Sequence, residues 1–120
     1  EEKELLMQNA YLLLMPSIRE GWGLVITESA NRGTPAVVYP VNGTIEAINY
    51  GQAGFVTENI SADDLVKVIN EISFSQYEEA RRNAFEYSLR FNWKRTSNEF
   101  NKIINAILEE KGVMAEWTSI

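Results

Sequence analysis

The stretch YLLLMPSIREGWGLVITESANRGTPAVVY, residues 11–39, contains two short apolar runs separated by a turn and a helix-forming segment. The runs at 11–15 and 35–39 lack the alternation of half-exposed strands, which is typical of parallel strands covered on both faces. Between them, residues 23–31 have helical spacing, and Gly33 suits the left-handed position that follows a helix. The stretch therefore predicts a strand–helix–strand unit.

The rest of the chain extends this unit in both directions. Thr44 is expected to cap a short helix at 45–48, and a third strand is expected around Phe55 and Val56. Further helices are predicted at residues 2–9, at 61–72 with Ser61 as N-cap, and at roughly 75–90 and 93–110. Short links between alternating elements predict an α/β, Rossmann-like fold: a partial doubly wound parallel sheet of about three strands with flanking helices.

Residues 1–120 are interpreted as one partial domain. A three-stranded sheet leaves an edge unpaired, and there is no initiating methionine. Both features favour a piece of a longer protein, and the open edge also allows a homodimer.

Composition excludes several classes of function. The 120 residues include no cysteine and no histidine, so disulfides, thiolate nucleophiles, His/Cys zinc clusters and Ser-His-Asp triads are ruled out. A net charge of −6 without a basic stripe argues against nucleic acid as a partner. No apolar stretch approaches the ~20 residues that span a bilayer, and the start does not resemble a signal peptide. We expect a cytoplasmic location, with a peripheral position at the cytoplasmic membrane face as the alternative for a full-length protein.

The turn PSIREGWG, residues 16–23, follows the first predicted strand and leads into a helix. Ligands of open parallel sheets bind beyond the carboxyl ends of the strands. Backbone amides near Gly23, Leu24 and Val25 would face a bound anion, and Gly21 and Gly23 allow close approach. The turn therefore predicts a site for a phosphate ester.

Two glutamates, Glu20 and Glu28, accompany this turn. Either one alone would be interpreted as a solvated or capping carboxylate. Because carboxylates repel phosphate, we expect them to contact another part of the ligand, such as sugar hydroxyls. A nucleotide-sugar has hydroxyl groups on both sides of its diphosphate and fits this placement.

The residues also resemble a known family. PSIREGWGL with an E-x7-E spacing from Glu20 to Glu28, followed by GTPAV, VNGTIEA, GQAGFV and FNWKRTSNEF, is similar to the family 4 retaining glycosyltransferases of the GT-B fold. The resemblance covers roughly residues 3–105 and corresponds to the second half of the C-terminal, nucleotide-binding domain. VNG stands where the family commonly has V-G-G, so Asn42 would take a positive φ.

The resemblance implies roles for individual residues. Glu20 would be the catalytic residue beside the donor sugar, stabilising an oxocarbenium-like transition state, and Glu28 would bind the ribose hydroxyls. Trp22 would serve either as a ligand platform or as a packing lid over the turn. The full donor-binding set is Ser17, Gly21, Trp22, Gly23, Leu24, Val25, Glu28, Asn42 and Gly43.

The resemblance also implies a reaction. A hexosyl group would pass with retention from a UDP-, GDP- or ADP-sugar to a sugar, glycan or lipid-linked acceptor. No metal or other cofactor is implied, because there is no Asp-x-Asp motif. The family's phosphate-contacting Arg and Lys and its acceptor domain lie upstream, so this chain is expected to be inactive alone.

Two alternatives stay open at this point. One is a non-catalytic Rossmann- or flavodoxin-like binding module, in which the two glutamates would be accidental. The other is a nucleotide-sugar epimerase of the GT-B fold.

Overall fold

The computed structural model describes residues 1–112, and its internal contacts divide the chain into two units, Glu1–Leu89 and one that begins at Arg90. The first unit contains three strands and five helices, and the second contains the described part of one long helix. In chain order the elements are α1 (Glu2–Asn9), β1 (Leu13–Met15), α2 (Leu24–Asn31), β2 (Ala36–Val38), α3 (Asn42–Ala47), β3 (Gly54–Val56), α4 (Ala62–Glu71), α5 (Phe74–Ser88) and α6 (Trp93–Glu110).

The three strands form one parallel sheet in the order β1–β2–β3, with Leu13 beside Ala36 and Ala36 beside Gly54. This arrangement confirms the predicted Rossmann-like α/β fragment of three parallel strands with flanking helices. Every residue of the central strand β2 is buried, as its apolar sequence predicts. The edge strand β1 is different, since Leu14 is 46% exposed. Pairing of an open sheet edge with another chain stays a prediction.

The core lies between the sheet and the helices that connect its strands. Its buried members are Ile26 of α2, Ala36 and Val38 of β2, and Ala47 and Ile48 at the end of α3. A second cluster joins Ala30, Ala53 and Ala84, where small side chains let α2 and α5 pack closely. The packing therefore fixes α2 and α3 against the sheet and leaves their first turns at its carboxyl edge.

The start of α3 differs from the prediction. Thr44 is not an N-cap: it lies buried within the helix, and its hydroxyl donates to the carbonyls of Tyr39 and Val41, both at 3.0 Å. The N-cap is Val41, three positions before the expected cap Thr44, and Asn42 is the first helical residue. The expected positive φ at Asn42 is also wrong, because a first-turn residue takes helical dihedral angles.

Helix starts in the later part of the chain follow the sequence more closely. The Ser61 hydroxyl accepts from the backbone N–H of Asp64, as predicted for α4. Ser73 and Gln76 form a capping box at the start of α5. In the second unit, the Asn92 side chain accepts from the N–H of Arg95 and caps α6. Among residues 1–112, no helix combines the length and hydrophobicity that a membrane span requires.

Tyr11 and Tyr77 stack with their ring centroids 3.8 Å apart and an interplanar angle of 14°. This contact joins the segment before β1 to α5. Burial raises the pKa of Tyr77 above its ordinary value of 10.0, and the neighbouring Tyr11 adds to the shift.

Stability is therefore expected to fall at high pH. The unfolded chain releases the Tyr77 proton near the ordinary pKa, before the folded chain does. The free energy of unfolding therefore decreases as pH rises from about 10 through the raised pKa. Urea unfolding at pH 8 and pH 11 measures this loss. Tyr77→Phe should lose less stability than the wild type over the same interval, and equal losses in the two proteins would contradict the assignment.

Candidate functional site

Two loops leave the sheet at the same edge because the strands are parallel. Residues 16–23 connect β1 to α2, and residues 39–41 connect β2 to α3. A pocket of about 650 Å³ lies where these loops meet. Its lining comprises Ile18, Arg19, Glu20, Gly21, Pro40, Val41, Asn42 and Gly43. The pocket thus occupies the position at which parallel sheets bind their ligands.

Gly43 allows the two loops to approach closely because it has no side chain. A Cβ atom at this position would fall far inside van der Waals contact with the Glu20 carbonyl oxygen and 2.6 Å from the Gly21 carbonyl oxygen. Both clashing atoms belong to the backbone, so no side-chain rotation could relieve them. The first turn of α3 therefore supports the backbone that carries Glu20.

The two helices that follow the pocket loops, α2 and α3, lack side-chain caps. The N-cap of α2 is Gly23, in the left-handed conformation with φ 80° and ψ 69°, and the N-cap of α3 is Val41. In α4, α5 and α6 a serine or asparagine side chain takes this role. Since the first N–H groups of a helix have no acceptor within it, Leu24 and Val25 present donors that suit an anion.

Glu28 lies on α2 outside the pocket lining and forms an ion pair with Lys3 of α1. A second pair, Arg32 Nη2 to Glu4 Oε1 at 3.0 Å, joins the same two helices. The Glu28 side chain remains 47% exposed, so a ligand can reach it. This carboxylate thus binds a lysine of the neighbouring helix.

The remaining predicted residues fall into two groups. Trp22 packs against the core, and its indole Nε1 donates to Thr27 Oγ1 at 3.0 Å, which favours the packing role. Val25 also packs against the core, whereas Leu24 is 72% exposed. Four of the predicted residues line the pocket: Glu20, Gly21, Asn42 and Gly43. The other six lie outside its lining: Ser17, Trp22, Gly23, Leu24, Val25 and Glu28.

Four lining residues were not predicted: Ile18, Arg19, Pro40 and Val41. Ile18 and Arg19 occupy the variable positions of the P-S-x-x-E pattern, where sequence gives no chemical requirement. Their signal was position alone, because they directly precede Glu20 in the turn. Arg19 adds a cation to the lining that also contains Glu20, so the pocket has hydrogen-bonding groups for both hydroxyls and anions.

No three carboxylates in residues 1–112 converge closely enough to hold a metal ion. The groups that the pocket does offer are a carboxylate, a guanidinium and the backbone of two glycines. Together with the first turn of α2, they suit a ligand that carries hydroxyl and phosphate groups.

Comparisons of the sequence with known proteins give one consistent result. The profile of the family Glycosyl transferases group 1 matches residues 1–90. The chain is 30% identical over 87 residues to D-inositol 3-phosphate glycosyltransferase of Mycolicibacterium smegmatis, covering 72% of this chain and 20% of that protein. It is 29% identical over 105 residues to glycogen synthase of Pelodictyon phaeoclathratiforme, covering 82% of this chain and 22% of that protein.

The fold has a counterpart among solved structures. Sucrose-phosphate synthase of Thermosynechococcus elongatus superposes with a TM-score of 0.74 at 22% identity, over 84% of this chain and 26% of that chain. This structural similarity concerns the fold alone. The predicted resemblance to glycosyltransferases is confirmed by the family match. The chain spans about a quarter of the length of the proteins that it matches.

Proposed function

Because this chain belongs to the group 1 glycosyl transferases, we propose that it is the donor-binding part of a retaining glycosyltransferase. The donor is a UDP-, GDP- or ADP-sugar, and the transferred group is a hexosyl unit. The observation that carries the proposal is the pocket where Glu20 and Gly21 meet Asn42 and Gly43 beside the uncapped start of α2.

In this proposal each part of the donor has its own contacts. The sugar lies against Glu20, whose carboxylate accepts hydrogen bonds from its hydroxyls. The diphosphate lies at the start of α2, where backbone N–H groups and the helix dipole favour negative charge. The ribose extends along α2 to Glu28, which exchanges its partner Lys3 for ribose hydroxyls.

The proposed reaction breaks the bond between the anomeric carbon and the phosphate oxygen. The acceptor oxygen forms its bond on the same face of the sugar and gives its proton to the departing phosphate. Glu20 stabilises the positive charge that develops on the ring, and the N–H groups of α2 stabilise the negative charge on the leaving group. The acceptor is a sugar, glycan or lipid-linked molecule held by parts of the protein outside this chain, so the chain alone is inactive.

The location proposed for the full-length protein is the cytoplasm or the cytoplasmic face of the membrane. The alternatives predict different products: a binding module would release no nucleoside diphosphate, and an epimerase would isomerise the nucleotide-sugar without an acceptor. An assay of product release by the full-length protein from a panel of nucleotide-sugars distinguishes these three functions.

Glu28→Gln is expected to weaken donor binding about tenfold or more, because a charged acceptor of ribose hydroxyls becomes neutral. Lys3→Gln is the matched control, since it breaks the same ion pair but keeps the carboxylate. Calorimetry with the nucleoside diphosphate measures both variants.

The control decides between two roles of Glu28. If Glu28 serves only its pair with Lys3, both variants should bind the nucleotide like the wild type. Each would then lose less than about 1 kcal/mol of stability, because the pair is exposed at the surface. That outcome would contradict the ribose assignment.

A further inference from the structure

A second cavity, of about 440 Å³, lies in the unit Glu1–Leu89 where α1, the end of α2 and α5 meet. It is lined by Gln8, Asn31, Arg32, Gly33, Glu78, Arg81, Arg82 and Phe85, and we call it the arginine pocket. It shares no residue with the pocket at Glu20. Gly33 precedes β2 whereas Pro40 follows it, so the two cavities lie at opposite ends of that strand.

The charge of the arginine pocket contrasts with that of the chain. Three of the six arginines in a chain of net charge −6 line this one cavity. Glu78 Oε1 lies 3.3 Å from Arg81 Nη1, and Glu4, which is outside the lining, pairs with Arg32. Arg82 forms no ion pair with any carboxylate of residues 1–112.

The arginine pocket keeps a positive charge after its partners are counted. Three guanidinium groups exceed the two carboxylates within ion-pair distance of them by one charge. The end of α2 contributes about half a negative charge, which neutralises only part of the excess.

The donors in the arginine pocket suit one kind of ligand. Each guanidinium has five N–H donors in a planar fork, so Arg32 and Arg81 keep donors beyond those used in their ion pairs. Such forks bind phosphate oxygens in pairs. The side-chain amide of Gln8 adds further donors, and Phe85, which is 45% exposed, supplies an aromatic wall.

We propose that the arginine pocket binds a phosphate monoester that carries a small ring, at a site separate from the donor pocket. The cavity volume is within the range of about 300–1,000 Å³ that is usual for small-molecule sites. The phosphate contacts Arg81 and Arg82, and the ring lies against Phe85. The proposal does not depend on the glycosyltransferase reaction, because the two pockets share no residue.

Titration of the purified protein with phenyl phosphate, followed by amide NMR, tests this site. The side-chain amide of Gln8 and the backbone amide of Gly33 should shift with saturation, while the amides of Gly21 and Gly43 report binding at the donor pocket separately. Phenyl phosphate should bind about threefold or more tightly than inorganic phosphate, because its ring stacks on Phe85. Sodium chloride at equal ionic strength should produce no saturable shift.

Variants identify the groups responsible. Arg81→Gln/Arg82→Gln should weaken phenyl phosphate binding about tenfold or more. The control Lys67→Gln/Lys102→Gln removes the same charge from other helices and should bind like the wild type. Arg82→Gln alone breaks no ion pair with the described carboxylates, so it still tests the site if the double variant does not fold.

Three outcomes would overturn the proposal. The first is that the Gln8 and Gly33 signals do not shift at 50-fold excess of phenyl phosphate. The second is that the arginine and lysine variants bind phenyl phosphate with equal affinity. The third is that the protein binds phosphatidic acid vesicles through these arginines but does not bind phenyl phosphate. The last would assign the arginines to a lipid headgroup instead of a soluble ester.

Discussion

Replacing Glu20 by glutamine is expected to lower the rate of sugar transfer about 100-fold, with little change in nucleotide affinity. The side chain keeps its size but loses the charge that we propose stabilises the transition state. Hydrogen bonds to charged groups contribute about 1.5–3 kcal/mol, and each 1.36 kcal/mol in the barrier changes the rate about tenfold. The ribose and the diphosphate are bound by other groups, so the dissociation constant of the nucleoside diphosphate should stay close to that of the wild type.

Steady-state measurement of kcat and KM of the full-length protein with the preferred nucleotide-sugar tests this expectation. Glu71→Gln, which removes the same charge from an exposed position of α4, is the matched control and should keep wild-type kcat. An unchanged kcat in Glu20→Gln would remove Glu20 from the reaction, even if the donor still binds nearby.

Gly43→Ala is expected to destabilise the protein by about 2–3 kcal/mol, at the upper end of the usual range for overpacked sites. The added Cβ would meet the carbonyl groups of Glu20 and Gly21, and these atoms can move only with the backbone. Movement of this loop displaces Glu20, and a displacement of about 1 Å at a catalytic group can lower the rate about 100-fold. Stability and activity should therefore fall together.

Urea unfolding of Gly43→Ala and Gly21→Ala makes the comparison specific. A Cβ at Gly21 has nothing within 4 Å, so Gly21→Ala should change the free energy of unfolding by less than about 0.5 kcal/mol. Equal stability losses in the two variants would show that the close approach of the two loops at Gly43 is not what holds them together.

The sequence predicted the fold through the two apolar runs and the helical spacing between them. It failed at the start of α3, because a threonine hydroxyl can accept from the next turn or donate to the preceding one, and only packing decides which. Thr44 is buried, and its hydroxyl donates to the carbonyl of Tyr39 in the loop after β2. Thr44 therefore lies inside the helix, which begins before it.

The site was predictable where local rules apply. Parallel strands place their carboxyl ends together, so the turn at Glu20 and the one before Gly43 meet at the same edge. The pairing of Glu28 with Lys3 was not predictable, because it depends on how α1 packs on α2. The arginine pocket was not predictable for the same reason, because it depends on how helices pack. In the sequence, Arg81 and Arg82 resemble residues of a solvated helix face, and only the packing of α5 brings them to the same cavity as Arg32.

A crystal structure of the protein with a bound nucleotide-sugar tests the central claim most directly. The sugar is predicted to lie beside Glu20, the diphosphate at the N–H groups of Leu24 and Val25, and the ribose hydroxyls within about 3 Å of the Glu28 carboxylate. A nucleotide-sugar bound elsewhere, with Glu28 still paired to Lys3, would contradict the proposed donor site.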